Sequence, residues 1–267
     1  MWTSLYRAFG ALTDSERDFS LAAQRIQAAL LTVQIPAIAG LDIGVRASPA
    51  RQVGGDYIDL FPVDDQRLVF GLGDASGKSL SAALNALMLR YLVRGLVKAL
   101  SSDQLEAITA HANDVVTEDL HDSDHFITFL IGSLEISSGL MRIVNAGHEP
   151  PLILRVGASS VETLPARNLV LGVNAGLVYT SAATTLEVGD LAVTYTDGLT
   201  EASNSKGELF TIERLAETIV AHRHLRCAEL ADCLFETVKN YAGQDLRDDA
   251  TVLALRRTNE AGLRRGG

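Results

Sequence analysis

Four short aspartate motifs carry the chemistry this sequence could do. They are Gly54-Gly55-Asp56-Tyr57-Ile58-Asp59, Gly73-Asp74-Ala75-Ser76-Gly77-Lys78, Tyr195-Thr196-Asp197-Gly198 and Asp248-Asp249-Ala250-Thr251. Aspartate beside glycine is ordinary turn composition, so each motif alone says little. What precedes them says more. Leu68-Val69-Phe70-Gly71-Leu72-Gly73 and Leu191-Ala192-Val193-Thr194-Tyr195-Thr196 read as core strands, and each runs straight into an aspartate. A carboxylate at the end of a buried strand needs a counter-charge, and several converging carboxylates need cations. Donors that are all oxygen suit Mg²⁺ or Mn²⁺ rather than zinc.

The elements that must position these carboxylates follow from the hydrophobic period. Thr13-Asp14-Ser15-Glu16 has the form of a capping box, and Phe19, Ile26 and Val33 then recur every seven residues until Pro36 ends the helix. That spacing suits either a coiled-coil seam or a helix packed on its own domain. From Leu41 the pattern turns strand-like, over Leu41 to Ala47, Tyr57 to Val63 and Arg67 to Gly73. Helices are expected over 79–100 and 103–120. Strands return over 127–135, 140–145, 152–156, 180–188 and 191–196, helices over 212–222 and 228–241, and a last strand over 251–256. Strands grouped together, then helices, then strands again, imply an α+β fold with largely antiparallel sheets. The expected organisation is a helical segment 1–36, one domain over 37–257 and a frayed basic tail over 258–267.

Composition removes several classes of function. Lys and Arg total 23 against 33 Asp and Glu, a net charge of −10, which argues against nucleic acid because phosphate backbones are bound by basic surfaces. Cys227 and Cys233 are too few for a disulfide framework and lack metal-site spacing, so they read as small buried apolar residues. No run approaches the ~18 uninterrupted apolar residues of a membrane span, and no basic-then-apolar leader opens the chain. The expected setting is cytoplasmic, with no membrane partner. Gly77-Lys78-Ser79 looks like the end of a phosphate-binding loop, but that motif requires glycine where Leu72 stands.

In order and spacing the motifs resemble the SpoIIE/RsbU branch of the PPM-type (2C-type) metal-dependent protein Ser/Thr phosphatases. Ala23-x-x-Ile26-Gln27-x-x-Leu30-Leu31, Pro49-Ala50-x-x-Val53-Gly54-Gly55-Asp56, Asp74-x-Ser76-Gly77-Lys78 and Asn145-Ala146-Gly147-His148-x-Pro150-Pro151 all match. So do Gly189-Asp190, Tyr195-Thr196-Asp197-Gly198-x-Thr200-Glu201-Ala202 and Asp248-Asp249-x-Thr251. The resemblance implies an αββα sandwich with two Mn²⁺ or Mg²⁺ ions at one edge of the sheets. It implies that Asp56 adjoins both ions, that Asp74 and the carbonyl of Ala75 are ligands, and that Asp197, Asp248 and Asp249 complete the set. Asp59 is expected to support the site or the surrounding structure rather than bind metal. Lys78, Arg51 and His148 are candidates for holding substrate phosphate. The implied reaction is hydrolysis of phosphoserine or phosphothreonine by a metal-activated water, on a phosphorylated regulator such as an anti-sigma-factor antagonist in a bacterial partner-switching circuit.

Three positions depart from the family pattern. Ser76 stands where better-known members have histidine, His148 where they have aspartate, and Thr211 where glycine is common. The first leaves the donor of the leaving-group proton unassigned, with water on a metal as the default. His121, Asp122, Asp124 and His125 have metal-ligand types but read as a solvated connection. Two rival functions share the fold: a pseudophosphatase that only docks a partner, and a phosphatase of small metabolites. About forty residues precede the first strand, too few for a sensor domain. Control is therefore expected from an activating protein partner or from a homodimer formed through the N-terminal helix.

Overall fold

The computed structural model describes residues 31–50, 54–77, 80–120, 125–244 and 246–259. Phe19, Ile26 and most of the expected N-terminal helix lie outside these residues, as do Arg51, Lys78, His121, Asp122, Asp124 and the tail from 260. Strands run in chain order as β1 (Leu41–Ser48), β2 (Asp56–Asp64), β3 (Arg67–Ala75), β4 (Ile127–Glu135), β5 (Leu140–Ala146), β6 (Leu152–Leu154), β7 (Glu162–Thr163), β8 (Ser181–Thr185), β9 (Leu191–Tyr195) and β10 (Ala250–Arg257). Helices are α1 (Leu80–Leu100), α2 (Leu105–Leu120), the single turn α3 (Asp197–Thr200), α4 (Thr211–Ala221) and α5 (Cys227–Tyr241). Two five-stranded sheets form, ordered β1-β10-β9-β6-β7 and β2-β3-β4-β5-β8, and every ladder within them is antiparallel.

The central strands read as unbroken apolar runs because both of their faces are covered. In β3 and β4, Val69, Phe129 and Ile131 point outward onto Leu89 of α1 and Ile108 and Val116 of α2. Their neighbours Leu68, Phe70, Leu72 and Leu130 point inward and meet Ile153, Ala192, Leu253 and Leu255 of the other sheet. On the far side Val193, Tyr195, Val252 and Ala254 pack against Leu215, Ile219, Leu230 and Leu234 of α4 and α5. Three apolar layers thus hold four layers of structure, and the αββα sandwich is the architecture observed. The 152–156 strand stops early because the Val156 amide donates to Asp190 Oδ1 at 2.8 Å and leaves the ladder.

Close backbone approach fixes α5 on β1. A Cβ on Gly44 would lie 2.0 Å from the Cys227 carbonyl oxygen, and the Cys227 amide donates to Asp42 Oδ2 at 2.9 Å. A carboxylate there satisfies a first-turn N–H and complements the helix dipole. Both cysteines are free thiols. Helix α1 is long and apolar enough, by length and composition, to cross a membrane. Two of its arginines are nonetheless committed to a buried carboxylate: Arg94 grips Asp59 through Nε at 2.6 Å and Nη2 at 2.7 Å, and Arg90 adds a contact at 3.3 Å. With Ala82, Ala86, Leu89, Val93 and Val97 seated in the core, α1 is a core helix, and Asp59 ties it to β2.

Candidate metal centre

Asp56 opens β2 and is almost wholly buried, at 1% exposure. It stands directly across the ladder from Asp74. Its Oδ2 accepts hydrogen bonds from the hydroxyls of Thr196 and Thr251, both at 2.8 Å. Those threonines belong to the other sheet, at the end of β9 and within β10, and they brace one another. The Thr196 amide donates to the Thr251 carbonyl at 3.0 Å, and the Thr251 amide donates to Thr196 Oγ1 at 2.9 Å. One carboxylate of one sheet is therefore clamped by two hydroxyls of the other.

The glycines before Asp56 show what lies around it. A Cβ on Gly54 would sit 1.4 Å from Asp249 Oδ2, and a Cβ on Gly55 would sit 2.2 Å from the Ala75 carbonyl oxygen and 2.8 Å from Asp74 Oδ1. A side chain at either position would collide with these oxygen atoms. Asp249 is held by the Ala50 amide at Oδ1, 2.9 Å away, and its own amide donates to Asp248 Oδ1 at 3.0 Å. Asp74, the Ala75 carbonyl and Asp249 thus lie around the Gly54-Gly55 turn that leads into Asp56.

A second acidic group faces the first across a cleft of about 220 Å³ lined by Asp74, Thr128, Gly147, His148, Glu149 and Asp197. Asp197 begins α3, and burial pushes its carboxyl up to about 6, with Glu201, Asp248 and Glu149 adding repulsion. Asp56 is likewise raised well above the usual carboxylate range, by burial first and then by Asp74 and Asp249; the two threonine hydroxyls oppose the rise. Nearby positive charge would relieve such crowding. Among the described residues no three His, Cys, Asp or Glu side chains converge on a single point. Mg²⁺-like ions keep several waters and need only one or two carboxylates each, so a spread set with a backbone carbonyl fits them. The donor set and the glycine cradle both suit hard divalent cations.

His148 is drawn into the cleft wall but not as a cation. Burial lowers its imidazole to about 4, the backbone of Tyr195 partly opposing, so the ring is neutral at physiological pH. Its Nδ1 lies 2.9 Å from the Thr128 hydroxyl, while its backbone is closed into a turn by Asn145. Any contact with phosphate would use an N–H of a neutral ring, not charge. Arg51 and Lys78, the other phosphate candidates, are among the residues not described.

Sequence reasoning overlooked three parts of this site. The clamp by Thr196 and Thr251 was hidden inside motifs read for their aspartates, and Glu149 occupied the unassigned place between His148 and Pro150. Glu149 reaches the cleft with its carboxyl raised, by burial and then by Glu201 against the Tyr195 hydroxyl. Thr128 was legible only through its register opposite Asp74.

Comparison with known proteins decides the family. The profile of the Stage II sporulation protein E (SpoIIE) family matches residues 64–258. The chain belongs to the SpoIIE family. Among characterised relatives, this SpoIIE-family chain is 28% identical over 235 residues to the phosphoserine phosphatase RsbU of Bacillus subtilis, covering 88% of this chain and 69% of that protein. The solved RsbU and RsbW domains of a Mycobacterium tuberculosis protein superpose with a TM-score of 0.74 at 28% identity, over 87% of this chain and 63% of that one. A serine/threonine phosphatase, PstP, solved with two manganese ions, shares the fold at 14% identity, with a TM-score of 0.58 over 82% of this chain and 99% of that one. Its fold is the one found in solved PPM-type phosphatases.

Proposed function

We propose that this SpoIIE-family domain hydrolyses phosphoserine or phosphothreonine on a small phosphorylated regulator, such as an anti-sigma-factor antagonist, with two Mn²⁺ or Mg²⁺ ions. The observation that carries the reading is that Asp249 lies beside Gly54, and Asp74 and the Ala75 carbonyl beside Gly55, on the turn that leads into Asp56, while Asp74 and Asp197 line one cleft. Asp56, Asp74, Ala75, Asp197, Asp248 and Asp249 would hold the ions. When bound, such ions activate water and neutralise charge on a phosphoryl group. The chain's own part is to aim Asp56 and favour its ionised form, through the two threonine hydroxyls, and to present an acidic wall that repels phosphate until cations are in place. The relative named phosphoserine phosphatase supports the choice of ester. The juxtaposed RsbU and RsbW domains of the mycobacterial protein support work alongside a partner.

The test is turnover of phosphoserine and phosphothreonine peptides during a Mn²⁺ titration, with and without chelator. Wild type should turn over only with metal, and Asp56→Asn should not turn over. Retention of more than a third of wild-type activity by Asp56→Asn at limiting Mn²⁺ would refute the assignment, and faster turnover of sugar phosphates than of phosphopeptides would redirect it to small metabolites. The segment 1–36 we read as the contact to a second copy or an activating protein. Burial of one apolar side chain there is worth about 1.5–3 kcal/mol, so Ile26→Asp should abolish a dimer in sedimentation or remove activation by the partner. Outright unfolding of Ile26→Asp would make the helix part of the core instead.

A further inference from the structure

The strands that reach the metal centre carry a second cavity, of opposite charge, at their other ends. Leu154 of β6 pairs with Leu191 of β9, and Leu191 pairs with Arg256 of β10. Leu154 and Leu191 close the apolar layer beneath α4 and α5, and the row turns cationic at Arg256. The α4–α5 connection is tied to that arginine. Arg256 donates through Nη1 to the Leu225 carbonyl and through Nη2 to the Arg223 carbonyl, both at 2.7 Å. Arg223 in turn donates from Nε to the Val220 carbonyl at 3.1 Å. A cavity of about 380 Å³ opens here, with Leu154, Arg155, Val156, Leu191, Arg223 and Arg256 in its wall.

Of the three guanidinium groups in that wall, one has carboxylate partners. Arg155 is held by Glu162 at 2.6 Å and by Asp190 at 2.9 Å. Among the described residues Arg223 and Arg256 have no carboxylate within ion-pairing distance. Acids on the adjoining strands and turns are committed elsewhere. Asp190 also accepts from the Val156 and Glu187 amides, and Asp42, across the ladder from Arg256, accepts from the Cys227 amide. A guanidinium has five N–H donors; Arg256 uses two and Arg223 one, all on neutral carbonyls. The carbonyls orient both groups and leave their charge uncancelled, in a chain whose net charge is −10. We infer that this cavity binds a small molecule by a phosphate group, held between Arg223 and Arg256. Two guanidinium charges match a phosphate dianion, where a carboxylate would neutralise only one, and their planar forks suit its oxygens. The cavity is of a size that small-molecule sites have. Leu154 and Leu191 give the rest of the ligand an apolar wall, and exposed Val156 gives it a rim. The Thr196 end of β9 lies about 17 Å along the strand, so the site is separate from the metal centre.

Binding is measured on metal-stripped protein, freed of chelator, at about pH 8, where a phosphate group carries close to two negative charges. Without cations the acidic cleft repels such probes, and no turnover is needed for the readout. Phenylphosphonate, inorganic phosphate and benzoate are titrated by calorimetry and followed by amide NMR. Phenylphosphonate should bind once per chain, inorganic phosphate more weakly, and benzoate about 10-fold more weakly or worse. Shifted amides should centre on Gly157, Gly189 and Leu191 beside the cavity, not on Gly147 and Glu149 of the metal cleft. Arg223→Gln and Arg256→Gln should each weaken phenylphosphonate about 10- to 100-fold, the scale of one charged hydrogen-bonding group. Arginines that only pin the α4–α5 connection would leave the affinity of folded protein unchanged. Should Arg256→Gln fail to fold, Arg223→Gln carries the same test, since its side chain makes a single internal bond. No binding by wild type at millimolar phenylphosphonate, undiminished binding by Arg223→Gln, or shifts centred on the metal cleft would overturn the site. Benzoate binding as tightly as phenylphosphonate would overturn the phosphate class, and inorganic phosphate binding as tightly would overturn the small-molecule ligand.

Discussion

Removing one charge from the metal centre should make the metal-free protein more stable. The Asp197 carboxyl sits at about 6 instead of 3.8, because of burial and then the charges of Glu201, Asp248 and Glu149. A folded-state pKa above the unfolded one means that folding favours the protonated form. The contribution is fully present below about pH 4 and is lost as pH rises through about 6. At neutral pH the ionised group opposes folding by about 3 kcal/mol, which its partial exposure to water reduces to about 1–2 kcal/mol. Asp197→Asn should recover that amount, a rise in melting temperature of about 2–8 °C for a chain of this size. It should also flatten the fall in stability between about pH 4 and 6. Mn²⁺ at about 100 times its dissociation constant should stabilise wild type by about 2.7 kcal/mol and the variant by much less. Differential scanning fluorimetry with and without chelator reads both effects. Metal-free Asp197→Asn melting below wild type at neutral pH, or wild type indifferent to millimolar Mn²⁺, would refute the electrostatic argument.

Three further outcomes are expected. Replacing Asp59 by alanine removes the carboxylate that Arg90 and Arg94 share and should cost about 1–3 kcal/mol in urea unfolding, with Mn²⁺ affinity per folded molecule kept. Thr211 holds a φ of +69° at the start of α4, an uncommon conformation for a β-branched residue, so Thr211→Gly should raise stability by about 1 kcal/mol in the same assay. Asp197→Asn and Asp248→Asn should be far from additive in the logarithm of the rate, since groups that act as a unit fail together; fully additive losses would show that they serve separate functions.

Much of this was legible because burial leaves its mark on sequence. Leu68 to Leu72 and Leu191 to Tyr195 had to be central strands, and the aspartates that follow them had to need compensation. Thr211 announced its own strain by replacing a glycine. What stayed hidden has physical reasons. Strand β7 is two exposed residues, with no buried face to imprint a period. Helix α3 is one turn, too short for any periodicity. The clamp on Asp56 joins residues 140 and 195 positions apart, and no local pattern records such a contact. His125 gave the same composition signal as a solvated loop, although its Nδ1 lies 3.3 Å from Ser76 Oγ.

The threonine clamp makes the centre a gauge of how the two halves of the sandwich sit. Asp56 rides on one sheet and its hydroxyl partners on the other, so any shear between the sheets loosens the carboxylate before it moves a ligand off its strand. Coupling of this kind is reciprocal: ions held at Asp56, as proposed, would stiffen the interlayer, and whatever tightens the interlayer would raise their affinity by the same factor. Residues such as Ile58 and Leu253, buried between the sheets and bearing no donor atom, then become tuning positions for catalysis. A force applied to the outer helices has a mechanical route to the ions that needs no conformational change at the ligands themselves.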